Sequence, residues 1–537
     1  MNQEPHTTPP PEANDRYRWL VLLIVILGSF MAILDNSIVN VALPHLMVTF
    51  SSNIEEIEWV VTGYMLAFAI LMPVTVWLRD ALGLKNAFIL ALLFFIIGSA
   101  LCGLSWNRET LIFFRIIQAI GGGALMPTGL TMVTEVFPPE ERGMALGVWG
   151  AGATMAPAIG PTLGGYLVDF VNWRSIFYIN IPIGVVVIAL AMAILRRDRG
   201  HGGSVRFDFA GFFFLSLTLA GLLLGFTQGE REGWHSAYIL TMFGIAYFSF
   251  FIFLIVERMV KDPIVDLSIF ESRNFSLGCI LGVVRSIGLY SSVFLMPLFL
   301  QNLMGYTAFD TGILMMPSAL ALTFSMPLAG NITDRIGPKA PMILGGLITA
   351  YSLFLYSRLS LHSSYGFLLY GFIARGVGLG FLMAPLTVAT INAAKKRHMS
   401  LASGLLNVVM QVSGAFGVAI FSAMLSRRQA FHSAEYYTHL TPDNVPLAML
   451  LSKIAHGLNG LGSSLAGSGE IARVYLFQYL GEWAAVNAFN DVFLAASLVV
   501  GICVFLALFF EDIYPQKGVF GYFKKAGRLE GPPPADE

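Results

Sequence analysis

The stretch GSFMAILDNSIVNVALP, residues 28–44, decides the reading of this chain. It is the outer half of the first long apolar run, and it carries one carboxylate, Asp35. Residues 19–43 are otherwise apolar or small, and about 25 residues at ~1.5 Å each cross a ~30 Å hydrocarbon core with some tilt. An ionisable group that far from water is costly. By default it marks a proton relay or a counter-ion facing a bundle interior, against the plainer alternative of a packing or solvated-cavity aspartate.

The rest of the composition agrees with a chain that lives in a membrane. Of 537 residues, 56% are hydrophobic and 12% charged, and mean hydropathy is +0.71, whereas soluble domains carry roughly 25% charge. The net charge of -1 offers no basic surplus for nucleic acid. Cys102, Cys279 and Cys503 fall inside apolar segments and read as small core residues, not as a disulfide framework. Residues 1–18, opening with the Pro-rich PHTTPPPEAND, read as a disordered cytoplasmic tail, and no cleavable signal precedes the first span.

Length and apolarity predict an all-α polytopic membrane protein of about fourteen spans between residues 19 and 510. Lys and Arg concentrate in the loops on the side of the N-terminus, notably Arg196, Arg197, Arg199 and Arg206, then Lys395, Lys396 and Arg397, so both termini are expected in the cytoplasm. One outer segment, 426–487, is too long for a bare loop, and short amphipathic helices are expected at 447–461 and 470–486. It reads equally as a solvated lid or as a docking surface. Within it His432, Glu435 and His439 share a helical face, but three polar residues in a loop are ordinarily surface, and no metal site is assigned.

Internal repetition sets the domain plan. VWLRDALGLK (76–85) after span 2 and GNITDRIGPK (330–339) after span 10 match in spacing, pairing Asp80 with Asp334, Gly83 with Gly337 and Lys85 with Lys339. FRIIQAIGGGALMP (114–127) recurs loosely as ARGVGLGFLMAP (374–385), pairing Arg115 with Arg375. Two six-span halves follow, 19–195 and 257–511, separated by a linker with two extra spans at 196–256 and followed by a cytoplasmic tail at 512–537. Paired halves around a midplane site are the architecture of alternating access.

These motifs resemble the major facilitator superfamily. The turn GxxxDRxGxK is similar to its signature, LDNSIVNVALP (34–44) to the first-span motif of its fourteen-spanner drug:proton antiporter branch, RIIQAIGGGA (115–124) to the fourth-span motif, and APAIGPTLGG (156–165) to the antiporter motif of span 5. WRSIFYINIPIG (173–184) and PIVDLSIFESRNF (263–275) also look like this branch, and the whole resembles its EmrB-type export permeases. The resemblance implies a major facilitator fold, proton-driven export of amphiphilic drugs across a bacterial inner membrane, no cofactor beyond the proton gradient, and partnership with a periplasmic adaptor and an outer-membrane channel. The chain departs from the pattern at Val76 and Ala81 in the first turn, at Ala119 in span 4 and at Ala156 in span 5; Arg335 keeps the second turn intact.

Each element also has a physical reading of its own. Gly152, Ala156, Gly160 and Gly164 recur every four residues, a face that lets a neighbouring helix come close, with Gly165 beside it; Pro157 and Pro161 are expected to bend the same helix. Asp80 and Asp334, with Lys85, Arg335 and Lys339 beside them, are placed to latch one end of the bundle by accepting hydrogen bonds from a cation or a helix N-terminus. Asp35 and Arg115 lie at similar depth, about 12 Å and 9 Å from their outer span ends. A nearby guanidinium favours the carboxylate while loss of water favours the acid, opposing pulls that suit a carrier of protons. Arg285 and Arg375 sit near mid-depth and, with Asn40, Gln118, Asn407 and Gln411, are candidates for substrate contact; structural pairing of the arginines is the alternative. No nucleotide-binding GxxxxGK[ST] occurs, and all nine His lie in loops or at span ends, so neither ATP-driven transport nor an embedded enzyme is expected. A proton symporter, or an exporter of one metabolite such as a fatty acid or siderophore, remains the alternative function.

Overall fold

The computed structural model describes residues 15–52, 54–57, 59–196, 207–260, 263–394, 399–438 and 465–511. Among the described residues the regular structure is entirely helical. The first half holds α1 (Asp15–Thr49), the short α2 (Ile54–Ile57), α3 (Trp59–Leu71), α4 (Val74–Leu82), α5 (Leu84–Gly103), α6 (Arg108–Val136), α7 (Arg142–Phe170), α8 (Ser175–Tyr178) and α9 (Asn180–Ile194). The extra pair is α10 (Phe209–Glu232) and α11 (Ala237–Met259). After a 3-10 turn at Leu267–Glu271 come α12 (Arg273–Asn302), α13 (Ala308–Ile336), α14 (Lys339–Tyr356), α15 (Tyr365–Asn392), α16 (Met399–Thr438) and α17 (Leu465–Leu508).

Twelve of the expected spans are helices long and apolar enough to cross a membrane. The other two are helical but fall short of that measure for readable reasons. Span 2 is divided between α3 and α4 at Met72–Pro73, where proline has no N–H to continue the ladder. Span 5 is α7, whose Gly, Pro and Thr lower its apolarity. Most helices overrun the apolar segments that predict them, α1 reaching from Asp15 to Thr49, because backbone hydrogen bonding continues past the last apolar turn. The ends are capped by side chains: Asn107 forms a capping box with Thr110 at α6, and Ser236, Ser272, Thr307 and Ser364 cap α11, α12, α13 and α15.

The turns that carry the repeated motif share one backbone device. Gly83 (φ 79°) separates α4 from α5, and Gly337 (φ 90°) separates α13 from α14. A side chain is strained at such angles, so the motif's glycine is there for the corner.

In the first half α1 packs on α7, α6 and α9, and α6 on α5 and α3; in the second, α15 packs on α13 and α14, and α17 on α14, α16 and α12. The halves meet chiefly where α7 lies along α13, with smaller contacts of α16 on α6 and α4. The extra pair touches both, α10 lying on α16 and α3. Trp19 meets Phe137 edge-on at 5.6 Å, Arg142 donates to Asn392 at 2.8 Å, Ser272 donates to the Ala393 carbonyl, and Asn274 bonds the backbone of Glu511. The described start of α1 and end of α17 therefore lie on one face, called here the near end.

One expectation is corrected at the far end. Of the segment 426–487, residues 426–438 continue α16 and 465–487 are the beginning of α17, so the helix expected at 470–486 is not a separate short one but part of α17. The helix expected at 447–461 lies outside the described residues. Apolar patterning failed here because a long helix leaving the membrane turns polar without ending. His432 is engaged by Asp491 (2.7 Å) and lies 3.6 Å from Glu435; His439 is outside the described residues, and no group of metal-ligating side chains occurs among those that are described.

The α7–α13 seam is closest at the near end. A Cβ on Gly330 would strike the carbonyl of Gly143, and Gly147 faces Met326 and Pro327. Gly330→Val is therefore expected to weaken near-end closure by about 1–3 kcal/mol, the usual cost of forced overpacking. Maleimide labelling of a cysteine placed at Met326 should accelerate in that variant; unchanged labelling would contradict the seam.

Candidate functional site

The polar centre of the first half is built on Asp35 and Arg115, both 0% exposed. Arg115 donates from one terminal nitrogen to Asp35 Oδ2 at 2.5 Å and to Gln118 Oε1 at 2.6 Å. Asp35 Oδ1 accepts from Gln118 Nε2 (2.8 Å) and Asn180 Nδ2 (2.7 Å). Ser99 Oγ lies 2.7 Å from Gln118 Nε2 and 3.2 Å from Asn180 Nδ2. The guanidinium carbon sits 4.0 Å from the Tyr64 ring centre, a cation–π contact, and Arg115 Nε reaches the Val60 carbonyl at 3.4 Å. Five elements, α1, α3, α5, α6 and α9, thus converge on one carboxylate. Arg115 Nη2, the Tyr64 hydroxyl and Asn180 Oδ1, all buried, have no hydrogen-bond partner, so the cluster keeps donor and acceptor capacity in hand.

The chemistry follows from charge. With Asp35 ionised the pair is neutral, the state a dry interior tolerates. With Asp35 protonated, Arg115 stays charged and its strongest contact is weakened. One proton on Asp35 would therefore change the net charge of a closed compartment and weaken the tie between α1 and α6. Gln118, a candidate for substrate contact, lies inside this cluster. Asn40 is exposed on α1; Asn407 donates to the Ser403 carbonyl at 2.8 Å, and Gln411 is half-buried on the same helix.

At the near end Asp334 accepts from the backbone N–H groups of Gly143 and Met144, each at 2.8 Å. These are the first turn of α7, so a carboxylate of one half caps the helix N-terminus of the other. In the first copy of the motif Lys85 donates to the carbonyls of Leu195 (2.5 Å) and Met192 (2.8 Å) at the C-terminal end of α9, and Arg79 pairs with Glu135 at 2.8 Å. Asp80 and Lys339 are engaged as well, and Arg335 is exposed. A cleft of about 270 Å³ lined by Trp19, Phe137, Glu140, Asn331 and Asp334 marks this seam from outside.

The span 5 motif works inside the first half. Gly152 faces Ile26, Gly160 faces Ser37 and Gly164 faces Ile38, all on α1, and Ala156 is buried with them. Gly165 has open space beside it, and Pro157 is exposed on a helix that, like Pro161's position in it, runs unbroken from Arg142 to Phe170. The face towards α13 is a different one, Gly143 and Gly147, which periodicity alone did not single out.

Arg375, the repeat partner of Arg115, has no partner carboxylate among the described residues. It donates to the hydroxyls of Ser318 and Ser292, each at 3.2 Å, and lies 5.6 Å from the Phe372 ring centre. Arg285 is buried against Ser286 (3.4 Å) and the Met410 thioether (2.7 Å).

The family model described as Major Facilitator Superfamily matches residues 25–418. The chain belongs to that superfamily. It is a multi-pass membrane transporter, not an enzyme. Among its relatives, the Multidrug transporter protein MdtP of Bacillus subtilis is 31% identical over 78% of this chain and 77% of its own length. The Multidrug export protein EmrB of Escherichia coli (strain K12) is 29% identical over 88% and 91%, and the Tetracenomycin C resistance and export protein of Streptomyces glaucescens 29% over 80% and 81%. The crystal structure of the human organic anion transporter MFSD10 (TETRAN) shares the fold, with a TM-score of 0.56 and 14% identity over 92% of this chain and 100% of that one.

In this major facilitator chain, sequence reading missed Asn180, Ser99 and Tyr64. An asparagine at the head of the apolar run 180–194 was the one available signal; a serine or tyrosine among apolar residues carries none. Arg115→Leu leaves the Asp35 charge buried and unpaired and is expected to destabilise by about 3–5 kcal/mol, whereas Asp35→Asn combined with Arg115→Gln should recover most of that. Thermal unfolding in detergent separates the cases; equal losses in both variants would argue against the pairing.

Proposed function

We propose that this transporter exports amphiphilic small molecules in exchange for protons by alternating access, with Asp35 as the proton carrier. The observation that carries the reading is the fully buried Asp35–Arg115 pair, whose charge state a single proton changes. The multidrug and drug-export relatives support the substrate class. Asp35 is enclosed by its own half, so proton and substrate compete through helix position and not through shared contact. The route is short. Trp149 of α7 donates to Ser29 of α1 at 3.1 Å, and α7 begins at the amides that Asp334 holds. Loosening α1 shifts α7 and with it the near-end seam.

The Lys and Arg distribution supports a near end in the cytoplasm of a bacterial inner membrane, with both termini there. The projecting ends of α16 and α17 are suited to meet a periplasmic adaptor that leads to an outer-membrane channel. A more specific substrate reading rests on Arg375 and Arg285, cationic groups at mid-depth whose polar partners include neutral serines; these favour acidic amphiphiles.

Two measurements test this. Purified protein in detergent should release protons when a dye, antibiotic or fatty acid substrate is added, and Asp35→Asn, still folded, should release none and fail to transport against a gradient. Normal transport by that variant sinks the assignment, and binding without proton change points to a uniporter or symporter. Arg285→Ala should lower transport of acidic substrates by about tenfold or more, the effect of ~1.4 kcal/mol, while sparing cationic ones; equal effects on both remove the acidic-substrate reading.

A further inference from the structure

Two carboxylates far from Asp35 are buried with no cation paired to them among the described residues. Asp208 caps α10, its Oδ1 accepting from the Gly211 N–H at 2.8 Å. Glu257, in the last turns of α11, accepts at Oε2 from the Val265 N–H at 3.3 Å. They are 6% and 5% exposed. Their remaining oxygens, Asp208 Oδ2 and Glu257 Oε1, are buried and have no hydrogen-bond partner. A methyl group on Gly211 would strike both of these oxygens, so they border the same small space, which exists because residue 211 is glycine.

Among the described residues the charges around the pair do not neutralise it. Neither residue is in an ion pair among the described residues. On α11 the next residue, Arg258, is exposed. The segment after α11 brings Asp266, a further negative charge. On α12, Arg273 is exposed and pairs with Glu511 at 3.2 Å; on α4, Arg79 is committed to Glu135; α16 presents the apolar Leu401 and Ala402 to this region. Two facing carboxylates in a dry space cannot both stay ionised cheaply, and one proton between two orphan oxygens turns a repulsion into a hydrogen bond.

We infer that Asp208 and Glu257 together bind one proton, forming a second proton site at the near end of the extra helix pair. In the bound state one carboxyl donates its O–H to the other's free oxygen, leaving the pair with a single negative charge. This holds the start of α10 to the end of α11 and, through the Val265 N–H, to the segment that leads into the second half. The site stands where the extra pair touches both halves: Phe207 meets Trp77 of α4 at 5.1 Å, and Val265 and Ile264 cluster with Leu401 and Ala402 of α16. Losing the proton sets two like charges face to face at that junction. The inference does not depend on antiport at Asp35.

The test uses the full chain purified in detergent. Infrared spectra at about pH 7 should show a protonated-carboxyl C=O band that Glu257→Gln and Asp208→Asn each remove, since either amide can donate permanently to the surviving carboxylate. Free carboxyls in the unfolded chain titrate near pH 4, so a native state that keeps the extra proton loses stability as pH rises. The melting temperature of the wild type should fall between about pH 6 and 9, while that of Glu257→Gln stays flatter over the same range. If the band is the same in all three proteins, or the pH slopes of wild type and Glu257→Gln coincide, the inference is overturned. A melting temperature that rises with sodium at constant ionic strength in the wild type, and not in Glu257→Gln, also overturns it and assigns the space to a metal cation.

Discussion

The first half of this transporter is arranged around the cost of keeping one carboxylate and one guanidinium out of water. Asp35 and Arg115 meet that cost jointly: each neutralises the other, and Gln118, Asn180, Ser99 and the face of Tyr64 fill much of the remaining polar valence. Because these groups come from α1, α3, α5, α6 and α9, the pair also specifies how those helices stand against one another. The second half shows the contrast. Arg375 occupies the equivalent place in the repeat, yet serine hydroxyls stand where a carboxylate would. The repeat has been kept as a backbone plan, while the charge balance has been divided unequally between its two copies.

A single helix joins the two seams. On one side of α7, Gly152, Gly160 and Gly164 admit α1; on another, Gly143 and Gly147 admit α13. Small residues at both contacts let backbones approach closely with few interlocking side chains. The fixed point is electrostatic: Asp334 holds the first amides of α7, a contact that forms or is lost as a unit because both oxygens are used. Lys85 makes a complementary attachment at the carboxyl end of α9, within its own half.

What was legible in the sequence is what depends on local spacing. The depth of Asp35 and Arg115 in their runs foretold that they meet, and the matched turns foretold corners at Gly83 and Gly337. A carboxylate beside a helix start was likewise readable at Asp334. Hidden were features that need a partner distant in the chain. Asn180 is one polar residue at the edge of an apolar run until α9 lies beside α1. Gly143 and Gly147 matter because Gly330, Met326 and Pro327 face them. Asp208 and Glu257 look like ordinary interfacial charges until Gly211 lets their oxygens share a space. The long outer segment was misread for the opposite reason: α16 and α17 keep their helical hydrogen bonding well beyond the point where apolarity stops.

That persistence has a mechanical consequence. At ~1.5 Å per residue the 40-residue α16 and 44-residue α17 are about 60 and 66 Å long, roughly twice the ~30 Å hydrocarbon thickness. At the far edge of the bundle they are braced together, Asp491 taking hydrogen bonds from Arg428 and His432 and Tyr436 bonding Asn487. A braced pair of rods rooted in one half is a lever arm. A tilt of about 10° at its root carries a point ~25 Å farther out through roughly 4 Å, so rocking too small to notice at the pivot is delivered at the tip as a displacement on the scale of a side chain.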